Sequence, residues 1–153
     1  MTPRQKRSAS APSPAVQGWN DLIALHTAIE QTTNKALRRL GLAGSDFRAL
    51  AMLAHAPEHE VRLLDLADAL SLNQSSVSRL VDRLESAGLA RRESCGDDRR
   101  GVYVVITDDG SQSYQAAAPA FEQALADALT AAEHDSRLKS LSRSVRSGGR
   151  SAR

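Results

Sequence analysis

At 153 residues and 41% hydrophobic content, the chain has the size of one ordinary domain and can bury a real core. Aromatic residues make up only 3%, which favours packed helices over a sheet sandwich, and no apolar run approaches the ~18–20 residues needed to span a bilayer. The net charge of +2 hides an uneven distribution: residues 1–15 and 137–153 carry 9 of the 20 bases and no acid, leaving 11 bases against 18 acids in residues 16–136, a net of −7, which excludes a general polyanion binder.

The first fifteen residues mix Pro, Ser, Ala and bases without apolar periodicity and read as a disordered basic tail. They lack the apolar segment of a signal peptide, so the expected compartment is the cytoplasm; the single cysteine, Cys95, excludes an intramolecular disulfide and fits a reducing environment. Helical spacing begins at Trp19 and runs through Leu22, Leu25, His26, Ile29, Thr33, Ala36, Leu37 and Leu40, ending at the glycines of 41–44, so 19–42 is a first helix. A second helix starts with Ser45 or Asp46 as its cap and buries Phe47, Leu50, Ala51 and Ala54. Residues 61–63 suit a short strand, and Leu63, Leu66, Ala67 and Leu70 then mark a short amphipathic helix. Val77, Leu80, Val81 and Leu84 mark another, closed at Gly88, and the pair is a helix-turn-helix candidate. Two extended runs around 96–101 form a β-hairpin, and Thr107 caps a long helix with one face of Tyr114, Ala117, Ala118, Phe121, Leu125 and Leu129, bent at Pro119. A final helix is expected over about 133–145, with 147–153 a flexible tail. The sum is a mainly α fold with a small β-wing: a winged helix-turn-helix over 45–107, with helical extensions before it and over 108–146.

Removing the buried stripe of the second small helix leaves Gln74, Ser75, Ser76, Ser78, Arg79, Asp82, Arg83 and Glu85 outside. A major groove admits a helix with a slim leading face and is read by side chains that hydrogen-bond base edges. Arg79 has the fork for guanine O6 and N7, Gln74 suits adenine, and Ser75, Ser76 and Ser78 suit bases or phosphates, with Arg83 further along the same helix. A polar outer face is also what any solvated helix presents, and it is the helix-turn-helix with its following hairpin that weights these residues toward DNA.

Residues 63–110 resemble the DNA-binding core of the multiple-antibiotic-resistance regulator (MarR) family, through "VSRLVDRLESAGLARR" and the wing pattern of Asp98 and Arg100 followed by Ile106-Thr107 and Gly110. The resemblance implies a homodimer whose first and last helices interleave and carry two winged domains onto a pseudo-palindromic double-stranded DNA operator. It also implies a repressor, released by a small aromatic or phenolic effector bound between the dimer helices and the winged domain. The terminal helices support dimerisation on their own, since their apolar faces need a cover. In the wing, Arg100 is the expected minor-groove probe, Arg99 lies nearer phosphate, Asp98 braces the Arg100 guanidinium and Asp97 is a turn residue.

Three further features bear on sensing or metal binding. Cys95 sits among arginines that would favour its thiolate, which offers a thiol-sensing alternative, against an incidental exposed thiol. His26 lies on the first helix's apolar face, where the resemblance places a ligand cleft, against a histidine satisfied within the dimer. His55 and His59 have zinc-pair spacing beside Glu58, but Pro57 between them breaks the helix that would align them, so no metal site is expected. No cofactor motif or catalytic constellation is present, and the chain reads as a non-enzyme. The alternative from another class is a winged-helix module that docks a protein through the same surface.

Overall fold

The computed structural model describes residues 11–94 and 101–148. The first helix, α1 (Pro14–Arg38), begins five residues before Trp19, where the apolar spacing starts. Ser13 accepts the N–H of Val16 at 3.4 Å and Pro14 takes the first position, where its missing N–H costs nothing. Those two residues, read above as part of a structureless tail, are a helix start. The second helix, α2 (Gly44–His55), also opens earlier than expected: its cap is Ala43, and Asp46 reaches back to accept the Ala43 N–H at 3.1 Å. Helix α1 comes close here: a Cβ on Gly44 would lie 2.3 Å from Asn34 Oδ1, so the Asn34 side chain would have to move aside for one. Phe47, Leu50 and Leu53 point inward, while Ala51 and Ala54 are only half-buried.

After a 3-10 turn at Pro57–His59, the chain forms β1 (Glu60–Arg62), α3 (Leu63–Leu70) and α4 (Gln74–Ser86). Arg62 gives α3 no side-chain cap, and Asp65 in the first turn faces its positive end instead. Ser71 adopts a left-handed conformation (φ 55°) that ends α3, and Asn73 caps α4 by accepting the Ser76 N–H at 2.8 Å. Gly88 (φ 72°) turns the chain into β2 (Ala90–Ser94), which pairs antiparallel with β3 (Val102–Ile106) from Ala90 opposite Ile106 to Ser94 opposite Val102. Strand β1 pairs with the other edge of β3, giving the sheet order β1-β3-β2.

Thr107 joins the wing to α5 (Asp108–Ala132): its hydroxyl accepts the Gly110 N–H at 3.0 Å and donates to the Gly88 carbonyl at 2.6 Å. Gly110 has no room for a side chain, since a Cβ would stand 2.0 Å from the Leu89 carbonyl oxygen. Helix α5 runs as one element with Pro119 inside it. The last helix, α6 (Lys139–Arg146), is shorter than expected. Residues 133–138 turn instead, and Asp135 accepts both the backbone N–H (2.9 Å) and the guanidinium (2.7 Å) of Arg137, bonds that hold its carboxyl below the usual carboxylate range.

Two clusters form the core. The larger joins Leu37 and Leu42, Phe47, Leu50 and Leu53 of α2, Leu66 and Leu70, Val77, Leu80 and Leu84 of α4, Val104 and Ile106 of β3, and Ala117 of α5. Three of the five aromatic rings meet there, with Phe47 stacked on Phe121 at 4.5 Å and near Tyr114 at 5.5 Å. The smaller cluster, Leu25, Leu129, Ala132 and Leu138, ties α1 to α5 and the approach to α6. Buried Ser142 locks α6 down by donating to the Leu129 carbonyl at 2.7 Å. The winged unit is thus seated on a helical stem. Among the described residues, no helix is long and apolar enough to cross a membrane.

Candidate nucleic-acid interface

Helix α4 faces the core with Val77, Leu80, Val81 and Leu84, all at most 1% exposed, and this fixes what its other side presents. Gln74 and Ser75 stand exposed on the first turn, and Arg79 is exposed one turn later, its Nε lying 3.4 Å from the Ser75 carbonyl. Ser76 is half-buried and shares a groove of about 250 Å³ with Ser45, Leu72, Arg79, Leu80 and Arg83. Gln74 also borders a shallow groove with Arg62, Leu63, Leu64 and the wing residues Gly101 and Val102, so the start of α4 and the base of the wing share one surface.

Several of the outward residues bond to neighbouring elements. Ser78 and Glu85 are only half-exposed, lying against β2. There the Arg92 guanidinium donates to the Ser78 carbonyl (3.0 Å) and hydroxyl (3.2 Å) and pairs with Glu85 and with Asp82 Oδ1 (2.8 Å). Arg83 is directed to α2, its Nη2 lying 2.7 Å from Asp46 Oδ1 and 3.3 Å from Ser45 Oγ. The leading face of α4 therefore consists of Gln74, Ser75, Ser76 and Arg79, with both acids of the helix drawn to the wing side. Arg92 and Asp46 were missed as parts of this surface. Period-two alternation along β2 puts Arg92 on the face of buried Ala90, a signal that was present, whereas nothing in the sequence pairs residue 46 with residue 83.

The wing residues Asp97, Asp98, Arg99 and Arg100, together with Cys95, lie outside the described residues. His26 is exposed, with Nε2 3.8 Å from Glu30 Oε1, and borders a cleft of about 570 Å³ with Ile29, Thr33, Asn34, Ser45, Arg48 and Phe121. His55 ends α2, with Nδ1 2.7 Å from the Ala51 carbonyl and its ring edge-on to Tyr114, while His59 is the last residue of the separate 3-10 turn; the two share no helix face.

A helix-turn-helix whose second helix is backed by a three-stranded antiparallel wing and seated on long terminal helices is a winged helix-turn-helix protein. The MarR family model matches residues 31–101 of this chain. The chain is similar to Sco3205, a MarR family transcriptional regulator of Streptomyces coelicolor solved in complex with DNA: 28% identical, TM-score 0.74, covering 91% of this chain and 88% of that one. It is similar to the HTH-type transcriptional regulator PecS of Dickeya dadantii, 33% identical over 84 residues, which is 54% of this chain and 50% of PecS. It is also similar to the transcriptional repressor MprA of Escherichia coli K12, 26% identical over 88 residues, 58% of this chain and 50% of MprA. The chain spans about half the length of these curated relatives.

Proposed function

We propose that this chain is a sequence-specific transcription regulator, a repressor, that binds a pseudo-palindromic double-stranded DNA operator as a homodimer in the cytoplasm, without enzymatic activity. The observation that carries the reading is the outer face of α4. Four residues that hydrogen-bond bases or phosphates lead it, Gln74, Ser75, Ser76 and Arg79, and both acids of the helix pair with Arg92. In this reading α4 enters the major groove, Arg79 reads guanine and Gln74 reads adenine. Arg100 enters the adjacent minor groove, with Arg99 at phosphate and Asp98 as its brace. The DNA complex of Sco3205 and the repressor MprA give the reading its precedents.

Homodimerisation is supported by an apolar face that the single chain leaves open: Val16 (47% exposed), Trp19 (61%), Leu22 (47%) and Ile23 (46%) on α1, with Val145 (47%) on α6. A twofold partner covers such a face and matches the symmetry of a palindromic site. The cleft beside His26 is the proposed effector site. Its mixture of Ile29 and Phe121 with His26, Thr33, Asn34 and Arg48 suits a small aromatic or phenolic ligand.

Selection of genomic fragments by the purified protein tests the reading. A palindromic motif is the expected result, and the genes beside it would indicate the effector. Recovery of no motif by a folded dimer would overturn DNA recognition and favour docking of a protein on the same surface.

A further inference from the structure

Arg92 stands on the wing strand β2 beside the recognition helix, on a surface where an arginine would ordinarily be assigned to phosphate. Instead, both of its terminal nitrogens are bonded to α4. The side chain is 26% exposed, and its guanidinium is shared among Asp82 Oδ1 (2.8 Å), Glu85 Oε2, the Ser78 carbonyl (3.0 Å) and the Ser78 hydroxyl (3.2 Å). Its backbone N–H donates to the other oxygen of Glu85 at 2.7 Å, so Glu85 holds both the strand and the side chain. Three positions on one side of α4, Ser78, Asp82 and Glu85, converge on this residue, with i, i+3 and i+4 spacings that bring them onto one face.

We infer that Arg92 is a positioning residue of the DNA interface: it holds Asp82 and Glu85 beside the wing strand and offsets part of the charge with which these two carboxylates would otherwise repel phosphate. The inference rests on the DNA-binding reading above. Asp82 is 60% exposed on a helix that must approach a polyanion, and Glu85 is 32% exposed beside it. Without Arg92 both would add negative potential at the groove. A guanidinium suits this task better than an ammonium, because its planar array of donors can serve several acceptors at once.

The experiment compares operator affinity of the parent, Arg92→Ala, Arg92→Lys and the triple variant Arg92→Ala/Asp82→Asn/Glu85→Gln. All are measured at a temperature where circular dichroism finds each fully folded. The parent must first bind a selected operator more tightly than scrambled DNA; its failure would overturn the DNA-binding reading itself, before any variant is considered. Given that binding, Arg92→Ala is expected to lose about tenfold in affinity and Arg92→Lys to recover only part of it, while the triple variant returns to within about threefold of the parent, a non-additivity expected of groups acting as one unit. A triple variant that stays as weak as Arg92→Ala would overturn the inference and make Arg92 a direct phosphate contact. A folded Arg92→Ala with parental affinity would overturn it too, leaving a merely structural ion cluster.

Discussion

Asp46, in the first turn of α2, and Arg83, in the last turn of α4, are joined at 2.7 Å, and the same carboxylate closes the start of α2 through the Ala43 N–H at 3.1 Å. One side chain therefore stitches two helices and caps one of them. Asp46 is well shielded at 12% exposure, whereas Arg83 at 53% remains open to solvent screening, so the cap and the shielded carboxylate matter more than the ion pair alone. Asp46→Ala is expected to lower stability by about 1–3 kcal/mol in urea denaturation. Asp46→Asn, which can still accept the Ala43 N–H, should lose less. Equal losses in the two variants would show that the cap contributes nothing.

Gly110 meets the Leu89 carbonyl across a gap that no Cβ can enter, with 2.0 Å between the added carbon and the oxygen. Gly110→Ala must push the start of α5 away from the β2 entrance, breaking the Thr107 bonds that join them. A loss of about 3 kcal/mol is expected by thermal or urea denaturation, the cost of overpacking against backbone that cannot yield. Near-parental stability would mean that this junction is looser than its distances imply.

The helix-turn-helix was legible because its signals are local. Val77, Leu80, Val81 and Leu84 repeat at helical spacing, and Gly88 and Thr107 punctuate the chain where a C-terminus and a cap are needed. The start of α1 was read too late because Ser13 and Pro14 announce it by capping chemistry, without apolar residues. The start of α2 was read late because Asp46 acts from inside the first turn, reaching back to the Ala43 N–H, rather than from the cap position itself. The candidate site was legible to the extent that exposure alone defines it, as at Gln74, Ser75 and Arg79. What exposure missed was pairing: Ser78 and Glu85 with Arg92, and Arg83 with Asp46, joined across 14, 7 and 37 positions of sequence.

The open apolar face of α1 gives a direct test of assembly. Leu22→Glu and Trp19→Glu place a carboxylate where the proposed partner helix packs, while both side chains are already exposed in the single chain. The single-chain fold should survive, with a helical circular dichroism spectrum, and sedimentation equilibrium should move from dimer to monomer. Operator affinity is expected to fall by at least about 1.4 kcal/mol, a factor of ten, because two half-sites are no longer bound as one unit. Variants that remain dimeric would place the interface elsewhere.

The account stands on α4 reading bases from its exposed leading face, and Arg79 is the residue on which that claim rests most directly. The decisive measurement is a fluorescence-anisotropy titration of the selected operator and a scrambled duplex with the parent and Arg79→Ala, repeated across salt concentrations. The parent is expected to prefer the operator, with log K falling by about 0.9 per phosphate neutralised on B-form DNA. Arg79→Ala should cost about 1–3 kcal/mol on the operator and far less on scrambled DNA, narrowing the preference. An Arg79→Ala variant that binds the operator as tightly and as selectively as the parent would contradict the account.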